Sequence, residues 1–68
     1  MTLEELEKLG PGTVLVKGNK RRVIEEISSP FILFHYKSQP KRRIGEKIYL
    51  FEKWMKGARV DDRANGAS

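Results

Sequence analysis

The segment at residues 31–37, Phe-Ile-Leu-Phe-His-Tyr-Lys, constrains the fold more than any other part of this chain. Its branched and aromatic side chains favour an extended strand. Alternation places Ile32, Phe34 and Tyr36 on one face and leaves the opposite face largely apolar as well. A strand with two apolar faces is typical of the interior of a sheet. We therefore expect a central strand that is covered on both sides.

Little chain is available to provide that cover. The protein has 68 residues and no cysteine, so it has room for one small core and cannot form a disulfide or a thiolate zinc site. The lack of cysteine favours a reducing compartment. The acidic N-terminus does not resemble a signal peptide, and no run of about 18 apolar residues is present. These features predict a cytoplasmic domain with no membrane segment and a shallow surface site.

Both ends of the folded region carry helix signals. Residues 2–9 begin with a capping-box spacing, a hydroxyl at Thr2 and a carboxylate at Glu5, and Gly10 is a natural helix terminator. Residues 50–57 place Phe51 and Trp54 on one helical face, and these two side chains are predicted to anchor that helix.

Four segments predict β-strands: residues 13–17, 21–28, 31–37 and 43–49. The first two are joined by Gly18-Asn19, which suits a hairpin turn, and Gly45 is a candidate β-bulge. The fold class expected is α+β, a small, twisted, four-stranded antiparallel meander of SH3-like or half-barrel form, with a short helix at each end. The predicted domain covers residues 1–57, and residues 58–68 are predicted to form a flexible C-terminal tail.

The net charge of +5 is concentrated in the middle of the chain, where residues 17–47 hold nine bases and three acids. In an up-and-down meander the first and third turns lie at the same end of the sheet. Eight cations that flank these turns would then meet on one rim, which suits the phosphates of a nucleic acid. With Tyr36, a stacking candidate near a strand end, they form the predicted nucleic-acid-binding set: Lys17, Lys20, Arg21, Arg22, Tyr36, Lys37, Lys41, Arg42 and Arg43.

Binding of this kind would be mainly electrostatic, and about five phosphate contacts would give a log–log salt slope near −4 to −5. Neither predicted helix resembles a recognition helix. Shape or single-strand recognition on the sheet therefore fits better than reading of a major groove.

No residue pattern predicts catalysis, a metal site or a cofactor. His35 is the single histidine and has no acid at a triad-like spacing, so it is interpreted as a half-buried strand residue. Glu25 and Glu26 are adjacent on a strand and should point to opposite faces, which argues against an acid–base pair.

Two further hypotheses remain open. The chain could be a protein-interaction module, a regulator, inhibitor or adaptor, that docks its basic rim on the acidic surface of a larger complex, with an exposed Trp54 or Met55 as an anchor. It could also self-associate through an unpaired strand edge. A monomer or a weak homo-oligomer is expected.

Overall fold

The computed structural model describes residues 2–61, which form two helices and an antiparallel sheet. The helices are α1 (Leu3–Leu9) and α2 (Ile48–Met55). The strands, in chain order, are β1 (Val14–Lys17), β2 (Lys20–Ser28), β3 (Phe31–Tyr36), β4 (Ile44–Lys47) and β5 (Arg59–Val60). The expected α+β class is confirmed.

Within residues 2–61 the sheet has five strands in the order β4-β3-β2-β1-β5. The first four strands pair with their neighbours in sequence, as the meander requires. The fifth strand pairs with β1, Val60 opposite Leu15 and Arg59 opposite Val16. The sheet is open, with β4 and β5 at its edges, so the SH3-like, four-stranded form is not confirmed.

The N-terminal helix has the predicted boundaries. Thr2 is the N-cap, and its hydroxyl oxygen accepts from the backbone N–H of Glu5 at 3.3 Å. Gly10 ends the helix with a φ of 78°, a conformation that favours glycine. Of the leucines on this helix, Leu6 is fully buried, whereas Leu9 is half exposed. Leu3 is partly buried and packs against the same core, so the helix attaches to the sheet through Leu6 and Leu3.

Helix α2 begins two residues earlier than the sequence predicts, and β4 is correspondingly shorter. Ile48, Phe51 and Met55 follow one another at intervals of three and four residues, so one helical face packs against the core. Phe51 is fully buried and Trp54 packs beside it, which confirms both predicted anchors. The core side chains buried most completely are Leu6, Leu15, Ile24, Ile32, Phe34, Phe51 and Met55.

A β-bulge lies in β2 at Glu25, not at Gly45 as the sequence suggests. Ile24 pairs with Phe34 and Glu26 pairs with Leu33, so Glu25 is the extra residue. If Glu25 took a regular place in the ladder, strict alternation would turn Glu26 toward the core and Ile27 toward solvent. The bulge thus keeps Ile27 on the buried face for the second half of a long strand.

The sheet continues past residue 57, the predicted end of the domain. Arg59–Val60 form β5, and the backbone N–H of Asp61 donates to the carbonyl of Val14 at 2.9 Å. The remainder of the predicted tail, residues 62–68, lies outside the described residues. In the described part of the chain, neither helix has the length and apolar character needed to cross a membrane.

Candidate nucleic-acid interface

The turn between β1 and β2 and the segment after β3 lie side by side at one end of the sheet. The backbone N–H of Lys37 donates to the carbonyl of Arg21 at 3.0 Å, which ties the two together. Between them is a shallow depression of about 500 Å³, lined by Asn19, Lys20, Arg21, Tyr36, Lys37, Ser38 and Gln39. The predicted meeting of these turns is therefore present in the geometry.

Four of the predicted cations surround this depression and its continuation. Lys20, Lys37, Lys41 and Arg42 are exposed, and none forms an ion pair within residues 2–61. A second depression, of about 550 Å³, is lined by Gln39, Pro40, Lys41 and Arg42 and shares Gln39 with the first. We call these four cations the rim.

Arg22 does not belong to the rim, which corrects its predicted place there. It pairs opposite Leu15 on the buried face of the sheet, and its side chain is only 8% exposed. Its guanidinium carbon lies 4.1 Å from the ring centroid of Trp54 and 4.4 Å from that of Phe34. Nη1 donates to Glu46 at 3.2 Å. Arg22 is thus a core residue that stacks on aromatic rings and uses its charge internally.

Arg21 and Arg43 reach the surface but are paired with acids. Arg21 Nε donates to Asp61 Oδ2 at 2.7 Å, and Arg43 Nε donates to Glu25 Oε1 at 2.8 Å. Arg43 is three-quarters exposed, so its ion pair is worth little in water. Each nearby carboxylate still cancels part of the positive field that an approaching phosphate would meet.

Lys17 also lies apart from the rim. Its ammonium donates to the backbone carbonyl of Trp54 at 3.2 Å and lies 5.8 Å from the Trp54 ring centroid. This contact links the end of β1 to the last turn of α2. Lys17 is therefore a docking residue for the helix in this structure, although its side chain is exposed.

Tyr36 is half-buried in the wall of the first depression. Its ring packs edge-on against Phe34 at a centroid distance of 5.7 Å, and its hydroxyl accepts from Arg22 Nη2 at 3.3 Å. The Lys20 ammonium lies 5.9 Å from the ring centroid. The predicted stacking candidate thus lies beside a rim cation.

His35 has an acidic neighbour that the sequence spacing does not reveal. Its Nδ1 lies 2.9 Å from Glu25 Oε2, and an ionised carboxylate only accepts, so Nδ1 donates. The hydrogen bond from His35 is the largest cause that lowers the pKa of Glu25; partial burial opposes it, and the contacts with Arg43 lower the pKa further. Because of the bulge, Glu26 shares this outer face, so the expectation that Glu25 and Glu26 point to opposite faces is wrong. Among residues 2–61, no group of three His, Asp or Glu side chains could hold a metal ion.

The opposite end of the molecule is acidic and apolar. A depression of about 480 Å³ there is lined by Leu3, Glu7, Gly10, Pro11, Glu26, Ile27, Ser29 and Ile48. Large apolar side chains are exposed at Leu9, Phe31, Tyr49 and Leu50. Trp54 and Met55, the anchors expected for a protein partner, are instead half-buried and fully buried.

Sequence reasoning could have found one of the missed contacts. Arg22 lies two residues before Ile24 on the same strand, so alternation already places it on the buried face. Alternation also places Glu25 and His35 on the face opposite Ile24 and Phe34, but the strand register that makes the two neighbours is not visible in the sequence. Comparisons with protein-family models, with curated proteins and with solved structures found no match.

Proposed function

We propose that this chain is a non-catalytic binding domain that holds the sugar–phosphate backbone of a nucleic acid at the rim. The observation that carries the proposal is the meeting of the two turns around two adjoining depressions, with four cations that form no ion pair within residues 2–61. Lysine offers a phosphate a compact charge, and arginine offers two parallel donors. The rim contains three lysines and one arginine on a surface that is open to solvent.

The physical driving force is the release of counterions from the backbone. Each phosphate that a lysine or arginine neutralises adds about −0.9 to the log–log salt slope for a duplex and about −0.7 for a single strand. Four rim cations then give a slope of about −3 to −4. This is shallower than the slope that the full set of eight cations would give, because Arg21, Arg22, Lys17 and Arg43 are engaged within the protein.

A charge-reversal pair of variants tests the proposal. The rim variant carries Lys37→Glu, Lys41→Glu and Arg42→Glu. The matched control carries Lys8→Glu, Lys47→Glu and Lys53→Glu, which change the net charge equally at exposed positions away from the depressions. We expect the rim variant to lose roughly 100-fold in affinity for an oligonucleotide at low salt, and the control to lose much less.

Fluorescence anisotropy titrations at several salt concentrations give both the affinity and the slope, and circular dichroism checks that each variant is folded. Equal losses in the two variants would mean that net charge alone governs binding. Unchanged binding in the folded rim variant would remove the proposal.

A protein-interaction module that docks on an acidic surface is the second candidate. It is favoured by the exposed side chains of Tyr49 and Leu50, which would supply an apolar contact beside the electrostatic one. A pull-down at moderate salt, with and without nuclease, separates the candidates. A protein complex would survive nuclease and be lost in a Tyr49→Ser, Leu50→Ser variant, whereas nucleic-acid capture would not survive nuclease.

A further inference from the structure

The first depression contains more than cations. Among the residues that line it, Asn19, Ser38 and Gln39 carry neutral groups that can donate and accept hydrogen bonds. A phosphate needs donors only. The edge of a nucleic-acid base presents both donors and acceptors, which an amide side chain can match. The lining therefore suits a base together with its phosphates better than phosphates alone.

Tyr36 provides a held aromatic surface in the same wall. Its ring is fixed from the protein side by the edge-on contact with Phe34 and by the hydrogen bond from Arg22. A ring that is already immobile loses little conformational entropy when a ligand stacks on it. The Lys20 ammonium lies over this ring, 5.9 Å from its centroid. Lys20 is exposed, so its side chain can move aside for a stacked base and pair with the phosphate of the same nucleotide.

The depression also argues against a duplex. Its volume of about 500 Å³ lies within the usual range for a small organic molecule. In a duplex the bases are stacked inside and only the backbone would meet this concave surface. The lining residues come from strands and turns, and no helix contributes to it that could enter a major groove.

We propose that the ligand is a single-stranded nucleic acid, with one base seated in this depression against Tyr36 and the adjacent phosphates paired with Lys20 and Lys37. This inference rests on the proposed function, which it narrows from any nucleic-acid backbone to an unpaired strand with intact bases.

Three probes of equal length separate the possibilities. They are a labelled single strand of about 12 nucleotides, the duplex of the same sequence, and an abasic strand of the same length. Twelve nucleotides lie within the usual site size of an OB-fold domain, about 4–16 nucleotides. Stacking of one base predicts roughly 5- to 150-fold tighter binding of the intact single strand than of the abasic strand. We expect the duplex also to bind more weakly than the intact strand.

The outcomes distinguish the two proposals. If none of the three probes binds at low salt, the proposed function itself is refuted. Equal binding of the intact and abasic strands, or a preference for the duplex, overturns the inference and leaves backbone binding in place.

Variants locate the base. Tyr36→Leu keeps the apolar bulk but removes the aromatic face. The ratio of the affinity for the intact strand to that for the abasic strand should therefore fall toward one, while the salt slope stays the same. Tyr36→Phe keeps the ring and should keep the preference. Tyr49→Leu is the matched control, because Tyr49 is an exposed tyrosine outside the depression.

A second variant covers the case in which Tyr36→Leu fails to fold. The double substitution Asn19→Ala, Gln39→Ala changes two exposed side chains and leaves the core intact. The double variant should reduce the preference for the intact strand over the abasic strand severalfold. A folded double variant that keeps the full preference would overturn the seating of a base in this depression.

Discussion

Arg22 belongs to the basic run 20–22 but has become part of the core. Its guanidinium stacks on Trp54 and Phe34, its Nη1 pairs with Glu46, and its buried Nε has no hydrogen-bond partner within residues 2–61. Cation–π contact offsets part of the cost of that buried charge. A charge run in a sequence therefore does not show which of its members face water.

Replacement of Arg22 should destabilise the fold. Arg22→Ala removes the stacking and leaves Glu46 without its cation, so we expect a loss of about 2–4 kcal/mol in the free energy of unfolding. Arg22→Met combined with Glu46→Gln should recover much of that loss, because it removes both charges and keeps the volume.

Urea denaturation of the variants measures these changes. Arg42→Ala is the control, since Arg42 is exposed and forms no ion pair within residues 2–61, and it should change stability by less than about 0.5 kcal/mol. An Arg22→Ala protein as stable as the Arg42→Ala protein would contradict a core role for Arg22.

Glu25 should make stability depend on pH in the acid range. The hydrogen bond from His35 and the charge of Arg43 lower its pKa in the folded state. The ionised carboxylate therefore stabilises the fold above its unfolded pKa, and this contribution disappears as the pH falls through the lower, folded pKa. The stability difference between the native protein and Glu25→Gln should accordingly be larger at pH 7 than at pH 3.

Denaturant titrations at the two pH values test this dependence. The matched control is Glu26→Gln, because Glu26 is the exposed neighbour and forms no ion pair within residues 2–61. A Glu25→Gln effect that stayed constant from pH 7 to pH 3 would show that the contacts with His35 and Arg43 do not favour the charged form.

At the scale of elements, the bulge in β2 decides which side chains face the core. Deletion of Glu25 removes the extra residue, so Ile24 and Glu26 would alternate regularly and Ile27 would stay on the buried face. The deletion should therefore cost about as much stability as Glu25→Ala, which loses the same side-chain contacts but keeps the bulge.

Amide NMR spectra and denaturation midpoints of the two variants give the comparison. A deletion variant less stable than Glu25→Ala by about 2 kcal/mol or more would show that β2 needs the bulge itself, and not only a buried Ile27.

Elements with strong local signals were predictable, and those set by distant contacts were not. The capping residues of α1 and the run of branched and aromatic residues in β3 mark their own boundaries. The two-residue strand β5 is too short to show a period, and it exists because Leu15 and Val16 offer it a free edge. The start of α2 was missed because Ile48 and Tyr49 suit a strand as well as a helix.

The candidate site was likewise predictable in part. The meeting of the two turns follows from the topology of a meander, and their cations follow from composition. The ion pairs that remove Arg21 and Arg43 from the rim involve residues 40 and 18 positions away, and no local pattern indicates them. Sequence alone therefore overstates the charge that is free to meet a ligand.

At the scale of the whole molecule, charge is separated along the sheet. The rim lies at the end formed by the first and third turns, while the acidic helix α1 and the depression beside Glu7 and Glu26 lie at the end formed by the second turn. A polyanion approaching this dipole would be steered toward the rim and away from the helix. The electrostatic field would thus orient the domain before any contact is made.

Asp61 lowers the positive potential around the first depression, because it pairs with Arg21 at the edge of that depression. Asp61→Asn removes that negative charge and leaves Arg21 available to a phosphate. The Arg21 side chain is 44% exposed and that of Asp61 only 9%. Because water reaches the arginine side of the pair, we take about 0.2–1 kcal/mol for it, and affinity for a single strand should rise by about 1.5- to 5-fold. The log–log salt slope should become steeper by up to the amount that one additional phosphate contact contributes.

Anisotropy titrations of Asp61→Asn measure both quantities, and a thermal melt checks that the variant remains folded. Glu7→Gln is the control, because it removes the same charge at the opposite end of the sheet and should leave affinity nearly unchanged. An increase of equal size in both variants would indicate an effect of net charge. A rise confined to Asp61→Asn would show that the domain's own carboxylate competes with the ligand for Arg21.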